Sequence, residues 1–573
     1  VIFGIGKTKY VEHIDTVTFK TELGEDIFRR KYASNQYETW SDKAHSIVNS
    51  VCGTADGKEN PLMSPEELDE MYNIINNQEF FPGGRYLWYA GREARFYNNC
   101  YLLRAEEDTR EEWADLWKRA GSCLMTGGGI GIDVSKFRPS GRPLRRTGGV
   151  SSGPLPWLEA VNAIGREVMQ GGSRRSALYG SMNWQHEDIW DFMKMKNWHD
   201  IPIQGAFKED GSPFTVSDAK MNDFNYKAPL DQMNISVNYD DAWLNNKDHP
   251  SFEFNVRQAM MTGEPGFSFN FGDKQNETLR NACTEITSED DSDVCNLGSI
   301  NMANIETIER FEEVVQFASQ FLVCGLVRAE LPYEKVYETR RQNSRLGLGL
   351  MGMHEWLLKR GYKYEMVEEL KSWLKVYKVE SEKAANKKCI RHYMRKPKGY
   401  RAIAPTGTIS ILAGTTSGVE PIFAAAYRRR YLSGSKRWLN QYVAENIAVD
   451  LQKRYDYSDD DMNNIETSLS LAKYPEKRIS FQYELQKYVD HAISSTVNLP
   501  AWGSEENNED LVPWFSDIIK RYAHGLRGLT FYPDGSRGGQ PLTPCSWGEA
   551  MSKRGVIYED NTEEQCLTGV CGI

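Results

Sequence analysis

The stretch "RNACTEITSEDDSDVCNLGSIN", residues 280 to 301, sets a thiol at Cys283 between an amide at Asn281 and a carboxylate at Glu285. One residue separates each from the next, so on an extended strand the three side chains would share a face, and on a tight loop they would converge. A carboxylate within hydrogen-bond reach of a bound hydroxyl is a general base, and an amide beside it can orient the same ligand. An isolated Asn-x-Cys-x-Glu is more often a buried cysteine with polar neighbours, and Cys295 taken alone is equally ordinary. Cys566 and Cys571 shift that balance: they form a C-x4-C pair in a segment with no apolar pattern to bury them. That segment holds no histidine to complete a zinc site. What remains for a paired, exposed dithiol is thiol–disulfide exchange, and electrons carried there need an internal site that consumes them. Cys295 and one further cysteine are the places to look.

The elements that must position these groups read as mixed α/β. "SPEELDEMYNIINNQ" opens on Ser64 as a cap with two glutamates in its first turn, a helix start. "YNNCYLLRAEED" turns to a short strand holding Cys100, "REEWADLWKRAGSCLM" is an amphipathic helix, and "TGGGIGIDVSKFRPSGRP" is a glycine-rich approach to a strand and turn. "GPLPWLEAVNAIGREVM" is a further helix, followed by the basic loop "QGGSRRSALYGS". Between about 230 and 440, strands such as "MNISV", "GFSFNF" and "RAIAPTGTISILAG" alternate with helices such as "TIERFEEVVQFASQFLVCGLVRAE", an α/β pattern. The last forty residues are rich in Gly, Pro and polar groups and read as a mobile tail.

Bulk properties narrow the function classes. With 573 residues, 40% hydrophobic and 26% charged, the composition is that of a soluble globular protein. No apolar run reaches the length of a membrane span, and no secretory signal is expected at the start, so a cytoplasmic setting is the expectation. A formal charge of −11 argues against coating a nucleic-acid polymer, although local arginines could still hold a nucleotide phosphate. His186 in "WQHEDIWDF" reads as a surface cluster, and no metal site is expected. Cys324 reads as core, and Cys52, Cys123, Cys389 and Cys545 carry no assignable partner.

Taken together, "NACTE", "CNLGSINMAN", "APTGTISILAGTTSGVEPIF", "TGGGIGIDVSKFRPSGRP" and the terminal cysteines resemble the catalytic subunit of a ribonucleotide reductase, in order from about Cys100 to Cys571. The family's usual Asn-Pro-Cys-Gly-Glu is here Asn-Ala-Cys-Thr-Glu, and Ala282 and Thr284 are expected to alter how the loop turns. The resemblance implies an N-terminal helical region (1–95), a ten-stranded α/β barrel (96–535) with Cys283 on a loop inside it, and a flexible tail (536–573). It implies that a thiyl radical on Cys283 abstracts the ribose 3′ hydrogen, that Glu285 takes the 3′-hydroxyl proton and that Asn281 orients the sugar. Cys100 and Cys295 would supply two electrons and become a disulfide. Cys566 and Cys571 would reduce that disulfide and be re-reduced by a thioredoxin- or glutaredoxin-like partner.

The same resemblance places the substrate phosphates on Ala404, Pro405, Thr406, Gly407, Thr408, Ile409 and Ser410. That run has small residues, exposed amides and hydroxyls, suited to a diphosphate near a helix N-terminus; without the resemblance it is a plain turn. It also places a dNTP or ATP specificity effector at a homodimer interface, with Arg138 and Arg145 on its phosphates and Gly171, Gly172, Ser173 and Arg174 in the relaying loop. No counterpart of the family's N-terminal ATP-sensing domain shows at the chain's start, so overall activity control is expected to be absent, a compact layout that would suit a virus.

Two radical sources stay open. Family members fed by a ferritin-like, metal-bearing subunit use two adjacent tyrosines, whereas "GLTFYPDGSRGG" holds Tyr532 beside Phe531 and no Tyr-Tyr pair occurs in the chain. The "YxDGSRGG" wording is similar to the adenosylcobalamin-dependent class, while the short chain also suits the two-subunit class. The glycyl-radical class is set aside because the tail lacks its motif. Two other functions compete: a thiol–disulfide oxidoreductase acting through its tail, which leaves Asn281 and Glu285 idle, and a degenerate nucleotide-binding regulator, against which the intact cysteine set speaks.

Overall fold

The structure, a computed structural model, describes residues 19–55, 57–168, 177–223, 225–432, 438–536 and 542–559. Ten strands form its main sheet. In chain order they are β1 (Phe80–Pro82), β2 (Cys100–Arg104), β3 (Gly129–Asp133), β4 (Leu178–Asn183), β5 (Met233–Tyr239), β6 (Gly266–Phe269), β7 (Asp293–Asn301), β8 (Leu346–Met351), β9 (Thr496–Leu499) and β10 (Gly528–Pro533). Strands β2 to β6 run parallel to one another. β10 joins β6 antiparallel and pairs β9 in parallel. At the other side β7 is antiparallel to β2 and parallel to β8, and β1 is antiparallel to its outer half.

The fold is therefore mixed α/β, but the ladder differs from the expected closed barrel: among the described residues it stays open between β8 and β9. Only isolated bridges span that gap, Leu348 with Arg401 and Ile403 with Ile493. The run "RAIAPTGTISILAG", expected as a strand, supplies only these contacts before Pro405. Proline has no N–H to donate and a fixed φ, so it ends the pairing there.

Helices cover the sheet as their sequences dictate. Helix Pro65–Asn76 starts in a capping box between Ser64 and Glu67, which satisfies two orphan donors at once. Helix Ile308–Arg328 buries Phe311, Val314, Val315, Ala318, Phe321, Leu322 and Gly325, a continuous 3.6-period stripe facing the core. No described helix is long and apolar enough to cross a membrane.

The C-terminal region also departs from expectation. Residues 542–559 are folded: strands Leu542–Pro544 and Ile557–Glu559 flank the hairpin Ala426–Leu432/Trp438–Ala444 in a four-stranded antiparallel sheet. The intervening helix Trp547–Ser552 inserts Trp547, fully buried, among Ala425, Ala448, Met462 and Ala550. One large aromatic supplies enough buried area to fix a segment whose overall composition looks unstructured. Cys566 and Cys571 lie outside the described residues.

Candidate active site

A two-residue-per-strand hairpin, Leu279–Arg280 against Thr287–Ser288, carries the loop with Asn281, Cys283 and Glu285. Glycines in β3 let it press onto the sheet. A β-carbon at Gly131 would sit 1.7 Å from the Arg280 carbonyl oxygen, and one at Gly129 would meet Ala282 at 3.0 Å. The hairpin is anchored by Arg280, which is buried and donates to the Asn270 side chain at 2.7 Å and to the Arg527 carbonyl at 3.2 Å. Burial, with help from Arg527, lowers its pKa to about 9.

Local hydrogen bonds turn the loop. Asn281 closes it: its Oδ1 accepts from the Ile286 amide at 2.9 Å, and its carbonyl accepts from the Thr284 amide at 3.0 Å. Thr284 has a φ of +72°, a left-handed conformation that is strained for a β-branched residue. The Asn281 Nδ2 donates to the Cys100 sulfur at 3.2 Å. Asn281 and Glu285 are buried, whereas Cys283 is partly exposed. Burial raises the Glu285 carboxyl to about 7, against the lowering effect of its own backbone and of the Asn281 amide. A carboxyl with that pKa can accept or return a proton near neutrality.

Cys100 opens β2, and the β2–β7 register sets it directly across from Cys295. Opposed Cα atoms in an antiparallel pair lie about 4.5–5.5 Å apart, within the span a disulfide requires. The backbone thus presents two cysteine positions as a pair, with Asn281 linking the first to the Cys283 loop. That linkage joins the loop carrying Asn281, Cys283 and Glu285 to Cys100, which has Cys295 opposite it in the ladder.

The expected phosphate run is only partly assembled around an opening. A cavity of about 850 Å³ is lined by Gly407 and Ser410 together with Ser417, Asn498 and Tyr532, but not by Ala404, Pro405, Thr406, Thr408 or Ile409. Thr406 has turned inward, where its Oγ1 accepts from the Gly418 amide at 2.7 Å. The expected helix is a single turn, Ile409–Ala413. The amides of Gly407, Thr408 and Ile409 donate to no acceptor among the described residues.

Tyr532 lies near the end of β10, half-buried on the cavity wall. Its neighbour Phe531 points the other way, against Phe267 and Phe515 at ring distances of 5.9 and 5.1 Å. Arg138, expected on an effector phosphate, is held by Asp108, whose Oδ2 and carbonyl accept at 2.7 and 2.8 Å. Arg145 is exposed, and Gly171, Gly172, Ser173 and Arg174 lie outside the described residues. Among the described residues, no cluster of three His, Cys, Asp or Glu could hold a metal ion. His186 is engaged with the Phe137 carbonyl at 2.8 Å.

A family description, ribonucleotide reductase barrel domain, matches residues 98–245, 208–379 and 378–532, which is most of the chain and includes every residue of the hairpin. The chain belongs to the ribonucleotide reductase large-subunit barrel family. It is similar to a vitamin B12-dependent ribonucleoside-diphosphate reductase of Mycobacterium tuberculosis, 26% identical over 561 residues, covering 86% of this chain and 75% of the relative. It is also similar to a putative adenosylcobalamin-dependent ribonucleoside-triphosphate reductase of Mycobacterium phage D29, 22% identical, covering 96% of this chain and 98% of that one. Among solved structures, the class Id ribonucleotide reductase alpha subunit of Actinobacillus ureae shares the fold, with a TM-score of 0.68 at 16% identity, covering 90% of this chain and 97% of that one.

For a ribonucleotide reductase barrel, the site residues that sequence reasoning missed lie around the hairpin's base. Arg280 adjoins the Asn-Ala-Cys-Thr-Glu motif, yet nothing in its local spacing marks it as buried. Besides the local carbonyls of Glu277 and Leu279, its acceptors come from positions 269, 270 and 527, which the fold brings near.

Proposed function

We propose that this ribonucleotide reductase chain converts ribonucleotides to 2′-deoxyribonucleotides by radical chemistry begun at the Cys283 sulfur. The observation that supports the reading is that the loop bearing Cys283 and a buried Glu285 reaches, through the Asn281 amide, the Cys100 sulfur, with Cys295 opposite in the ladder. In this reading the Cys283 thiyl takes the 3′ hydrogen atom and Glu285 takes the 3′-hydroxyl proton. The 2′-hydroxyl leaves as water with a proton from the Cys100/Cys295 pair, which gives two electrons and closes to a disulfide. The 3′ hydrogen returns from Cys283, regenerating its radical, and Glu285 returns the proton to the 3′ oxygen. Cys566 and Cys571 then exchange with that disulfide, and a thioredoxin- or glutaredoxin-like reductant restores them.

The relatives' names point to adenosylcobalamin as the radical source. The cavity is where such a group would sit: it is lined by the hydroxyl-bearing Thr415, Thr416 and Ser417 and by apolar Ile411, Ile422 and Phe423 beside Tyr532, and a broad ring with polar edges would meet a mixed lining of that kind. When bound, that group would supply the one-electron oxidant for Cys283. The Gly407 amide and the Ser410 hydroxyl, the latter now paired with Ser417 at 2.9 Å, would contact the substrate phosphates. Deoxynucleotides or ATP would act as specificity effectors at a homodimer interface through Arg138, Arg145 and residues 171–174. The relatives' names divide between diphosphate and triphosphate substrates, so both belong in the assay.

The test is turnover of ribonucleoside di- and triphosphates by the purified chain under reductant, with and without adenosylcobalamin. Reduction with the cofactor alone is expected. Inactivity until a ferritin-like subunit is added would replace the cofactor assignment with the two-subunit one. Retained reduction in Cys283→Ser would overturn the radical assignment, as a thiol–disulfide exchanger acting through Cys566 and Cys571 would be indifferent to that change.

A further inference from the structure

We infer that Glu277 is a positioning residue for this reaction, one carboxylate that fixes the Cys283 hairpin relative to the sulfur-bearing strand β7 and to the Tyr532 strand β10. The inference rests on the reductase reading above.

Glu277 sits just before the hairpin's first strand, and Thr287 opens its second, so the two bracket the segment carrying Asn281, Cys283 and Glu285. The Thr287 hydroxyl donates to Glu277 Oε2 at 2.8 Å and thereby closes the hairpin's base. Onto the same oxygen Arg527, which immediately precedes β10, donates at 2.9 Å. The other oxygen accepts from Arg345 at 3.4 Å. Arg345 precedes β8 and donates its Nε to Asp293, the first residue of β7, at 2.8 Å. Asp293 also accepts from the Ser288 hydroxyl at 2.6 Å, so each residue of the hairpin's second strand is tied into the same set.

These groups are withdrawn from water: Thr287 and Asp293 are fully buried and Glu277 is 9% exposed. Burial alone would raise the Glu277 carboxyl, but Arg527, Arg345 and Lys274 outweigh it and hold it far below the usual carboxylate range. It is therefore a permanent anion at any working pH. A buried ion cluster of this kind adds little net stability over apolar packing. What it supplies is orientation, because charge-assisted hydrogen bonds to one carboxylate fix the angles among the elements that meet there. The role inferred for Glu277 is placement. Displacing reacting groups by about 1 Å can cost on the order of 100-fold in rate.

The test uses the full chain under conditions in which the wild type turns over. Thr287→Val removes only the hydroxyl, Thr287→Ser keeps it, and Arg527→Lys keeps the charge while removing the planar fork. The expected result is a fall in kcat of at least tenfold for Thr287→Val with KM for the ribonucleotide within twofold, and recovery in Thr287→Ser. If Thr287→Val does not fold, Arg527→Lys carries the same expectation. A folded Thr287→Val with wild-type kcat overturns the inference, as does Arg527→Lys with wild-type kcat where that variant carries the test. So does a loss of kcat that follows only the loss of folded protein. A wild type that reduces no ribonucleotide with either radical source overturns the reductase reading instead, which the wild-type control shows separately.

Discussion

The side-chain amide of Asn281 donates to the sulfur of Cys100 at 3.2 Å, across 181 positions of chain. This one bond joins the Cys283 loop to β2, where Cys100 lies opposite Cys295, and in the proposed reaction it would couple the hydrogen-abstracting thiol to the electron-donating pair. Asn281 also closes its own loop through the Ile286 amide. Asn281→Ala removes both contacts and leaves a buried amide unpaired, which costs about 1–3 kcal/mol. A lower thermal midpoint and a loss of about 100-fold in kcat, comparable to removing one preorganised hydrogen-bond donor, are expected from calorimetry and steady-state assays.

Glu285 sets a pH dependence. Burial raises its pKa to about 7, and in the proposed reaction the carboxylate would have to be ionised to take the sugar's proton. The kcat/KM profile should therefore rise with pH through a limb near 7. Glu285→Gln should abolish that limb and lower the rate by roughly 10²–10⁴-fold.

The same shift has a stability consequence of opposite direction. Folding raises the pKa of this acid, so between its ordinary value and about 7 the native state binds more protons than the unfolded chain. Stability from this group is complete below the ordinary carboxyl pKa and is lost as pH rises through 7. By pH 8 the ionised, buried carboxylate costs about 3 kcal/mol. Glu285→Gln should gain thermal midpoint over the wild type at pH 8 and show little gain at pH 4; an equal gain at both values would contradict the assignment.

Thr284 stores strain at the turn of the loop, with a φ of +72°. A side chain in this region costs about 1–2 kcal/mol, while glycine's greater unfolded freedom takes back about 0.5–1. Thr284→Gly should accordingly raise stability by up to about 1 kcal/mol, measurable by denaturant titration. Gly131→Ala should do the reverse. Its β-carbon would collide with the Arg280 carbonyl, and overpacking against backbone costs about 1–3 kcal/mol.

Part of the local structure was legible where it rests on local wording. Asn281, Cys283 and Glu285 are spaced to converge on either a strand or a tight loop, and the loop is what forms. Cys100 was readable as a strand residue because apolar Tyr101, Leu102 and Leu103 follow it. Other features depend on distant residues and left no local trace. The Glu277 contacts draw on positions 287, 345 and 527, and Thr406 turns inward only because Gly418 approaches it. The C-terminal region misled for a different reason: its composition averages over the buried Trp547 and over two short strands that pair with the 426–444 hairpin.

The central claim is that Cys283 initiates a reaction whose electrons come from Cys100 and Cys295. The most direct measurement is peptide mapping after a single turnover by pre-reduced protein with a ribonucleotide, a functioning radical source and no external reductant, using Cys566→Ser/Cys571→Ser to block exchange. One Cys100–Cys295 disulfide per deoxynucleotide formed, and neither product in Cys283→Ser, is the predicted result. Deoxynucleotide formed with both thiols still free would contradict the account.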